Sequence, residues 1–221
     1  MGIGRAGASR HELRVTVDFA LYLVTDRSVA RRPLVEVVEE CLGAGLRAMQ
    51  LREKDLPVRD LLALAGPLRA ATRRHGAQLL INDRTDVALA VQADGVQRTH
   101  DSLPVGALRG MTPAGFLIGA SVHSPSEAQE AASQGADFLV FGPVWDTASK
   151  RAYGPPQGLE ALRTVAAGTA VPVLAIGGIT PRRVRDALAA GAAGVAAISA
   201  ILAADRPAEA TRAFLDALGR A

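Results

Sequence analysis

Eight short apolar segments recur along the 221-residue chain, and each ends in or beside polar residues. Stretches with helical periodicity separate most of them. Strands that alternate with helices predict a parallel sheet, because two parallel strands must be joined by a crossover connection. The segments are Leu21–Asp26, Ala48–Arg52, Leu79–Asp83, Gly95–Gln97, Leu117–Ser121, Phe138–Gly142, Val173–Gly177 and Gly194–Ser199.

Eight strand–helix units in a chain of this length predict one α/β domain, a single (β/α)8 TIM barrel, over residues 19–221. Residues 1–18 are predicted to form a flexible N-terminal arm. Barrels of this kind place their active sites at the C-terminal ends of the strands. The residues that fall at those ends are Asp26, Arg52, Asn82, Asp83, Ser121 and Gly177.

The amino-acid composition indicates what fills the core and which kind of ligand the protein binds. The sequence is 49% hydrophobic but only 4% aromatic, so aliphatic residues are expected to fill the core. The net charge of +3 comes from scattered arginines without interleaved aromatic residues, which favours a small anionic substrate over nucleic acid. The single cysteine, Cys41, excludes an internal disulfide and is expected to be a small buried hydrophobe.

Neither a secretory signal nor a membrane span is visible in the sequence. We therefore predict a cytoplasmic protein with no membrane partner. The apolar spacing and the capping residues predict helices between the strands. Their predicted ranges are Leu34–Leu42, Val58–His75, Asp83–Val91, Val105–Arg109, a helix capped by Ser124 that ends at Ser133, a helix capped by Thr180 that ends at Ala190, and Ala208–Leu218.

Two cations follow the second predicted strand. Arg52 and Lys54 alternate with Glu53, so both can point to the same side as the strand ends. Two such cations at the barrel mouth would bind a phosphate or a diphosphate. The alternative is a solvated charge cluster, as many charge runs are.

Asp83 follows the third predicted strand and has two interpretations. It could hold Mg2+, which prefers a few carboxylates together with substrate phosphate oxygens. It could instead cap the helix that follows.

A second set of residues suits a phosphate group. Gly178 follows the seventh strand, and Ile198 and Ser199 end the eighth, where barrel enzymes often bind phosphate through backbone amides. The segment Trp145–Gln157 is the longest one without periodicity. Within it, Thr147, Ser149 and Lys150 suit a lid over phosphate, although a polar surface loop would look the same.

His123 lies just beyond the fifth strand. Its side chain could act as a general acid–base, because the usual histidine pKa is about 6.5. A histidine that only hydrogen-bonds the backbone is the alternative.

Taken together, these residues resemble the thiamine phosphate synthase and TenI family from about Tyr22 to Ile201. Many motifs occur in the order that the family shows. They are Tyr22-Leu-Val-Thr-Asp26, Gln50-Leu-Arg-Glu-Lys54, Ile81-Asn-Asp-Arg84, Ala93-Asp-Gly-Val96, Gly135-Ala-Asp137 to Phe141-Gly-Pro143, Thr147-Ala-Ser-Lys150, Ala175-Ile-Gly-Gly-Ile179 and Gly191 to Ile201.

The resemblance implies a transferase of thiamine biosynthesis, which joins hydroxymethylpyrimidine diphosphate to thiazole phosphate, and a homodimer. It places the diphosphate and the pyrimidine on Gln50, Arg52, Lys54, Asn82, Ser121 and Lys150. It places the thiazole phosphate on Thr147, Ser149, Gly178, Ile198 and Ser199, and Mg2+ on Asp83. Arg52, Lys54, Ser121 and Lys150 would be catalytic.

The resemblance breaks after the fourth strand. The family typically reads Gly-Val-His-hydrophobic-Gly-Gln-x-Asp there, whereas this chain reads Gly95-Val-Gln-Arg-Thr-His-Asp-Ser102. The final Asp of the family pattern is a metal ligand, and Ser102 stands in its place. Asp101, one residue earlier, is therefore the candidate for the second metal ligand.

Other functions remain open at this stage. TenI-like proteins are thiazole tautomerases that act on thiazole carboxylate phosphate without metal, and His123 would be their acid–base. The diphosphate set around Arg52 favours the synthase, because a tautomerase has no diphosphate to bind. A non-catalytic binder of thiazole phosphate or thiamine phosphate, and a sugar-phosphate epimerase that shares only Gly177 and Gly178, are less well supported by the motifs.

Overall fold

A computed structural model describes residues 17–147 and 155–219. The strands are β1 (Leu21–Val24), β2 (Ala48–Leu51), β3 (Gln78–Asn82), β4 (Gly95–Arg98), β5 (Leu117–Val122), β6 (Phe138–Phe141), β7 (Val173–Ala175) and β8 (Gly194–Ala197). The helices are α1 (Leu34–Gly43), α2 (Val58–Arg74), α3 (Thr85–Ala90), α4 (Val105–Met111), α5 (Pro125–Ser133), α6 (Gly158–Ala167), α7 (Pro181–Ala189), α8 (Ser199–Leu202) and α9 (Pro207–Ala217).

The eight strands form one closed parallel barrel. Each strand pairs with the next along the chain, and β8 pairs with β1 with Leu21 opposite Val195. Closure leaves no strand of the barrel with an open edge. The predicted (β/α)8 barrel is confirmed, and the C-terminal ends of all eight strands share one face.

A small aromatic cluster fills the barrel interior toward its N-terminal end. The rings of Phe19, Tyr22 and Phe138 contact one another, with centroids 5.3–5.4 Å apart. Phe19 precedes β1 and Phe138 begins β6, so the cluster lies below the C-terminal face. The cluster therefore fills the barrel directly beneath the residues at the mouth, and we call it the aromatic floor.

The outward faces of the strands pack against the helices in a second, larger apolar cluster. Aliphatic residues dominate it, as the composition predicts. Cys41 of α1 belongs to this cluster and is fully buried. Burial raises the pKa of the Cys41 thiol to about 11. Its prediction as a buried small hydrophobe is confirmed.

Helix boundaries follow the sequence closely, and Ser124 and Thr180 both occupy the predicted N-cap positions, although only Ser124 makes a side-chain cap hydrogen bond. Ser124 caps α5 as predicted, and its Oγ accepts from the Glu127 N–H over 3.2 Å. Thr180 makes no side-chain cap hydrogen bond to α7. Pro181 at the first turn already has the helical φ angle, so α7 begins there without a side-chain cap.

Two helices go beyond those predicted. α6 follows the long segment after β6, and its buried Leu162 and Val165 face the core. α8 is a single turn of four residues, too short for a periodic pattern to develop. The third helix is shorter than predicted, because Asp83 lies before its start.

The N-terminal arm falls largely outside the described residues, since only Val17 and Asp18 of its range 1–18 are described. Phe19 is already buried. Within residues 17–147 and 155–219, no helix is both long and apolar enough to cross a membrane.

Replacing Phe138 with alanine tests the aromatic floor. We expect Phe138→Ala to lower the free energy of unfolding by about 3–5 kcal/mol, because it leaves a cavity beside two other rings. Chemical denaturation measures the change. Met111→Ala is the control, since Met111 is 55% exposed and should matter by less than about 0.5 kcal/mol. A loss below about 1 kcal/mol for Phe138→Ala would contradict the aromatic floor.

Candidate active site

Four polar side chains from consecutive strands line the mouth of the barrel. We call this set the polar layer: Gln50 of β2, Asn82 of β3, Gln97 of β4 and Ser121 of β5. Gln50 Nε2 donates to Asn82 Oδ1 over 2.8 Å, and Gln97 Nε2 donates to Ser121 Oγ over 3.1 Å. The two pairs are neighbours, because Asn82 stands opposite Gln97 in the strand register. Three predicted substrate residues thus lie together.

Gln97 is the member of the polar layer that sequence reasoning missed. It is fully buried, and its Oε1 has no hydrogen-bond partner in the described parts of the chain. A Cβ atom at Gly119 of the next strand would lie 2.3 Å from this oxygen, so only glycine leaves room for it. The sequence did contain a signal for it. Gln97 lies two positions after Gly95, and residues two apart in a strand point to the same face of the sheet.

The loop after β2 carries the two cations predicted to bind an anion. Arg52 is half-buried and Lys54 is exposed, whereas Glu53 between them is buried. The predicted alternation of direction is therefore present. Across residues 17–147 and 155–219, neither cation forms an ion pair with a carboxylate. Both remain available to an anion at the mouth.

The buried Glu53 carboxylate anchors this loop to the loop after β1. It accepts from Thr25 Oγ1 over 2.7 Å, and from the backbone N–H and Nη1 of Arg27 over 3.1 Å. Thr25 Oγ1 in turn accepts from the Arg52 N–H over 2.9 Å. Hydrogen bonds to Asp55 and Glu53 raise the pKa of Arg27. We call this set the Glu53 network, and it positions the backbone that carries Arg52.

Asp83 occupies a sharp corner after β3, where its φ angle is +64°. Aspartate tolerates this left-handed region better than most residues. Its N–H donates to Gln97 O over 2.9 Å, and Ser102 Oγ donates to its Oδ1. The cap residue of α3 is Arg84, and its side chain makes no cap hydrogen bond. The helix-cap interpretation of Asp83 is therefore wrong.

Ser102 belongs to a tight turn after β4. Its Oγ accepts from the Thr99 N–H over 2.8 Å and lies 2.9 Å from Thr99 Oγ1. Asp101, the predicted second metal ligand, is exposed. In the described parts of the chain, no group of three or more His, Cys, Asp or Glu side chains is arranged to hold a metal. A cation here would depend on Asp83 and on oxygens that a ligand brings.

The loops after β6 and β7 pack tightly on each other. Gly177 and Gly178 have φ angles of +97° and +63°, and a Cβ at Gly178 would lie 2.7 Å from Asp146 O. Arg183 Nη1 donates to Gly178 O over 2.6 Å. The same guanidinium lies 5.3 Å from the centre of the Trp145 ring, in a cation–π contact. Glycine is thus required where these two loops meet.

The remaining phosphate residues lie beside this corner or beyond the described part of the chain. Ile198 follows β8, and Ser199 begins α8, whose first N–H groups have no partner within the helix. Thr147 ends the first described range. Ser149 and Lys150 lie outside the described residues, so the lid prediction is not tested by the structure.

His123 is exposed just after β5, and its ring touches the loop after β6. The ring Nδ1 lies 2.6 Å from Gly142 O. Because a carbonyl oxygen only accepts, Nδ1 carries the proton and Nε2 is the basic nitrogen. The His123 N–H donates to Glu127 Oε2 over 2.8 Å. The backbone contact is confirmed, and it still leaves Nε2 able to exchange a proton.

A cavity of about 450 Å³ opens at the opposite end of the barrel, near the start of β1. Its charged lining residues are Asp18, Arg47, Arg212 and Asp216. Barrels of this class carry their chemistry at the C-terminal face, so we assign the active site to the mouth and not to this cavity.

Residues 21–201 match the family described as thiamine monophosphate synthase. The chain belongs to this family. The matched range begins at β1 and ends in α8, so it contains the whole barrel and every loop of the candidate site. The family prediction is confirmed.

Individual relatives agree over nearly their full lengths. A putative thiamine-phosphate synthase of Geobacter sulfurreducens is 52% identical over 200 residues, which cover 90% of this chain and 94% of the relative. The thiamine-phosphate synthase of Methanoculleus marisnigri is 44% identical over 206 residues, or 93% and 98% of the two chains. The structure of thiamine phosphate pyrophosphorylase from Pyrococcus furiosus superposes with a TM-score of 0.83 at 39% identity, covering 90% of this chain and 95% of that one.

Replacing Glu53 tests the network that carries the cations. We expect Glu53→Gln to lower the free energy of unfolding by about 1–3 kcal/mol, because an amide cannot satisfy all the donors that converge there. Binding of inorganic diphosphate should weaken as well, since the same loop carries Arg52. Denaturant unfolding and titration calorimetry measure the two effects. Asp55→Asn removes only an exposed partner of Arg27, and equal effects of both substitutions would contradict the anchoring role.

Proposed function

We propose that the protein is a thiamine-phosphate synthase. It would join hydroxymethylpyrimidine diphosphate to thiazole phosphate and release diphosphate. Family membership and relatives with this name support the reaction. One observation carries the proposal: the barrel mouth combines the polar layer with Arg52 and Lys54, which have no carboxylate partner in the described chain. A pyrimidine that bears a diphosphate would use both features, because its ring can hydrogen-bond to the polar layer and its diphosphate can bind the two cations.

The diphosphate half of the site would lie over β2 to β5. The polar layer offers amide and hydroxyl groups for the pyrimidine, and the β2 loop offers two cations for the diphosphate. The residues proposed for this half are Gln50, Arg52, Lys54, Asn82, Ser121 and Lys150.

The thiazole phosphate half would lie over β6 to β8. Gly178 has no side chain, so a phosphate can approach the backbone closely. The other residues proposed for this half are Thr147, Ser149, Ile198 and Ser199. The two halves lie on opposite sides of one mouth, which suits a reaction between two anionic substrates.

We propose Mg2+ as the cofactor. The Asp83 carboxylate is exposed beside the polar layer, and Ser102 and the backbone set its position. One or two carboxylates plus substrate oxygens are the usual donors for Mg2+, so these residues fit. Asp83 would be the main protein ligand, with Asp101 as the candidate second ligand. When bound, the ion would neutralise charge on the diphosphate.

The chemistry requires little covalent work from the protein. The bond between the pyrimidine methylene carbon and the diphosphate oxygen breaks, and the electron pair leaves with the diphosphate. The thiazole nitrogen then attacks the carbocation and forms the new C–N bond. Arg52, Lys54 and Lys150 would stabilise the leaving charge, while Ser121 and its neighbours in the polar layer orient the pyrimidine.

A direct assay tests this proposal. Protein mixed with hydroxymethylpyrimidine diphosphate, thiazole phosphate and Mg2+ should yield thiamine phosphate, followed by mass spectrometry. We expect EDTA or Asp83→Ala to lower the rate at least about 100-fold, since charge on the leaving group is then uncompensated. Asp86→Ala is the matched control, because Asp86 pairs with Arg84 at the surface and should not matter. Folded protein that forms no product would refute the synthase.

The second candidate is a TenI-like thiazole tautomerase with His123 as its acid–base. The geometry of the His123 ring supports this function, since Nδ1 is hydrogen-bonded to Gly142 O and Nε2 is left for proton transfer. The polar layer and the cations of the β2 loop have no task in a tautomerase, so we rank this function second.

Replacing His123 separates the two functions. For a synthase, we expect His123→Ala to lower thiamine phosphate formation less than about tenfold, because the mechanism moves no proton at this ring. A tautomerase would lose isomerisation of thiazole carboxylate phosphate, followed by NMR. His100→Ala, at another exposed histidine, controls for general effects. Loss of isomerisation only in His123→Ala would establish the tautomerase.

The substrate class, the partners and the cellular location are also part of the proposal. The substrates are small phosphorylated molecules, and we propose no nucleic-acid or membrane partner. Cytoplasmic location and a homodimer fit a biosynthetic enzyme of this family.

A further inference from the structure

We propose that Ser102 is a positioning residue for the Asp83 carboxylate, and that the divalent cation enters this protein together with diphosphate and not as a free ion. The inference rests on the proposed function. It concerns the order of binding and the role of one hydroxyl group, which neither family membership nor the fold specifies.

The hydrogen bonds of Ser102 leave its oxygen no room for a cation. A serine hydroxyl has one proton to donate and two lone pairs that accept. Its proton goes to Asp83 Oδ1, because a carboxylate only accepts. One lone pair accepts from the Thr99 N–H, and the other accepts from Thr99 Oγ1, which lies 2.9 Å away. Ser102 therefore acts through Asp83 and not on a metal.

Asp83 is held from two sides. The backbone at φ = +64° and the N–H bond to Gln97 O set the position of its Cα atom. The Ser102 hydroxyl then sets the rotation of its carboxylate. Oδ2 makes no hydrogen bond with any described residue. One oxygen is thus locked, and the other is left for a ligand.

Among the described residues, no group of three or more His, Cys, Asp or Glu side chains is arranged to hold a metal ion at Asp83. Asp86 is paired with Arg84, and Asp101 is exposed outside the Asp83–Ser102–Thr99 hydrogen bonds. Mg2+ loses its water reluctantly and binds through several oxygens. One or two carboxylates leave most of its coordination positions to other oxygens, so phosphate oxygens must supply the rest. Arg52 offers positive charge for that diphosphate at the same mouth.

Binding of Mn2+ in place of Mg2+ tests the order without measuring activity. The EPR signal of free Mn2+ reports binding to the protein alone, and water-proton relaxation reports binding of the Mn2+–diphosphate complex. We expect wild-type protein to bind the complex at least tenfold more tightly than free Mn2+. Ser102→Asp should bind free Mn2+ at least tenfold more tightly than wild type, because it adds a carboxylate beside Asp83.

Two further variants test the hydroxyl itself. Ser102→Ala should weaken binding of the Mn2+–diphosphate complex by about tenfold, as loss of an orienting partner usually does. Ser102→Thr keeps the hydroxyl and should restore binding to the wild-type level. Circular dichroism confirms that each variant is folded. Equal binding by Ser102→Ala and wild type would overturn the positioning role.

Tight binding of free Mn2+ to wild-type protein, lost in Asp101→Asn, would show that Asp101 completes the site and would overturn the inference alone. Absence of binding of the Mn2+–diphosphate complex to wild-type protein would overturn both the inference and the diphosphate substrate.

Discussion

Unbroken parallel pairing around the ring, closed between β8 and β1, is the constraint on which the rest of this structure depends. It sends the C-terminal ends of eight strands to one face and gives each strand an inward and an outward side. Residues that lie far apart in the chain, such as Gln50 and Ser121, become members of one layer for this reason. The aromatic cluster below them occupies the interior, so the layer stands on packed side chains.

Several loops of the mouth are held by hydrogen bonds to the backbone of a neighbouring segment. Thr25 binds the backbone of Arg52, Asp83 binds the backbone of β4, and Arg183 binds the backbone of Gly178. The first two contacts cross from one strand end to the next, whereas Arg183 and Gly178 both follow β7. Contacts within the protein therefore position charged and polar groups, which is the arrangement that electrostatic stabilisation of a leaving group requires.

Burial separates two kinds of charged residue at this mouth. Glu53 is buried and fully engaged with Thr25 and Arg27, so it acts on the shape of the loop. Arg52 and Asp83 keep atoms free of protein partners in the described chain, so they are the groups that a ligand can use. In the sequence they look alike, because each is a charged or polar residue that follows one of the first three strands. Only their contacts show which ones keep atoms without a protein partner in the described chain.

The sequence by itself determined the eight strands, most of the helices and the family, because apolar periodicity and strand-end motifs are local patterns. The resemblance to the family also placed Gln50, Asn82 and Ser121 in one predicted site, and the barrel brings these three side chains into one layer. It did not distinguish a helix cap from a ligand at Asp83, and it passed over Gln97. Those outcomes depend on a left-handed corner and on contacts across neighbouring strands, such as Ser102 with Asp83. Tertiary structure decided them, because the hydrogen-bond partners belong to different strand–helix units and are not neighbours in the chain.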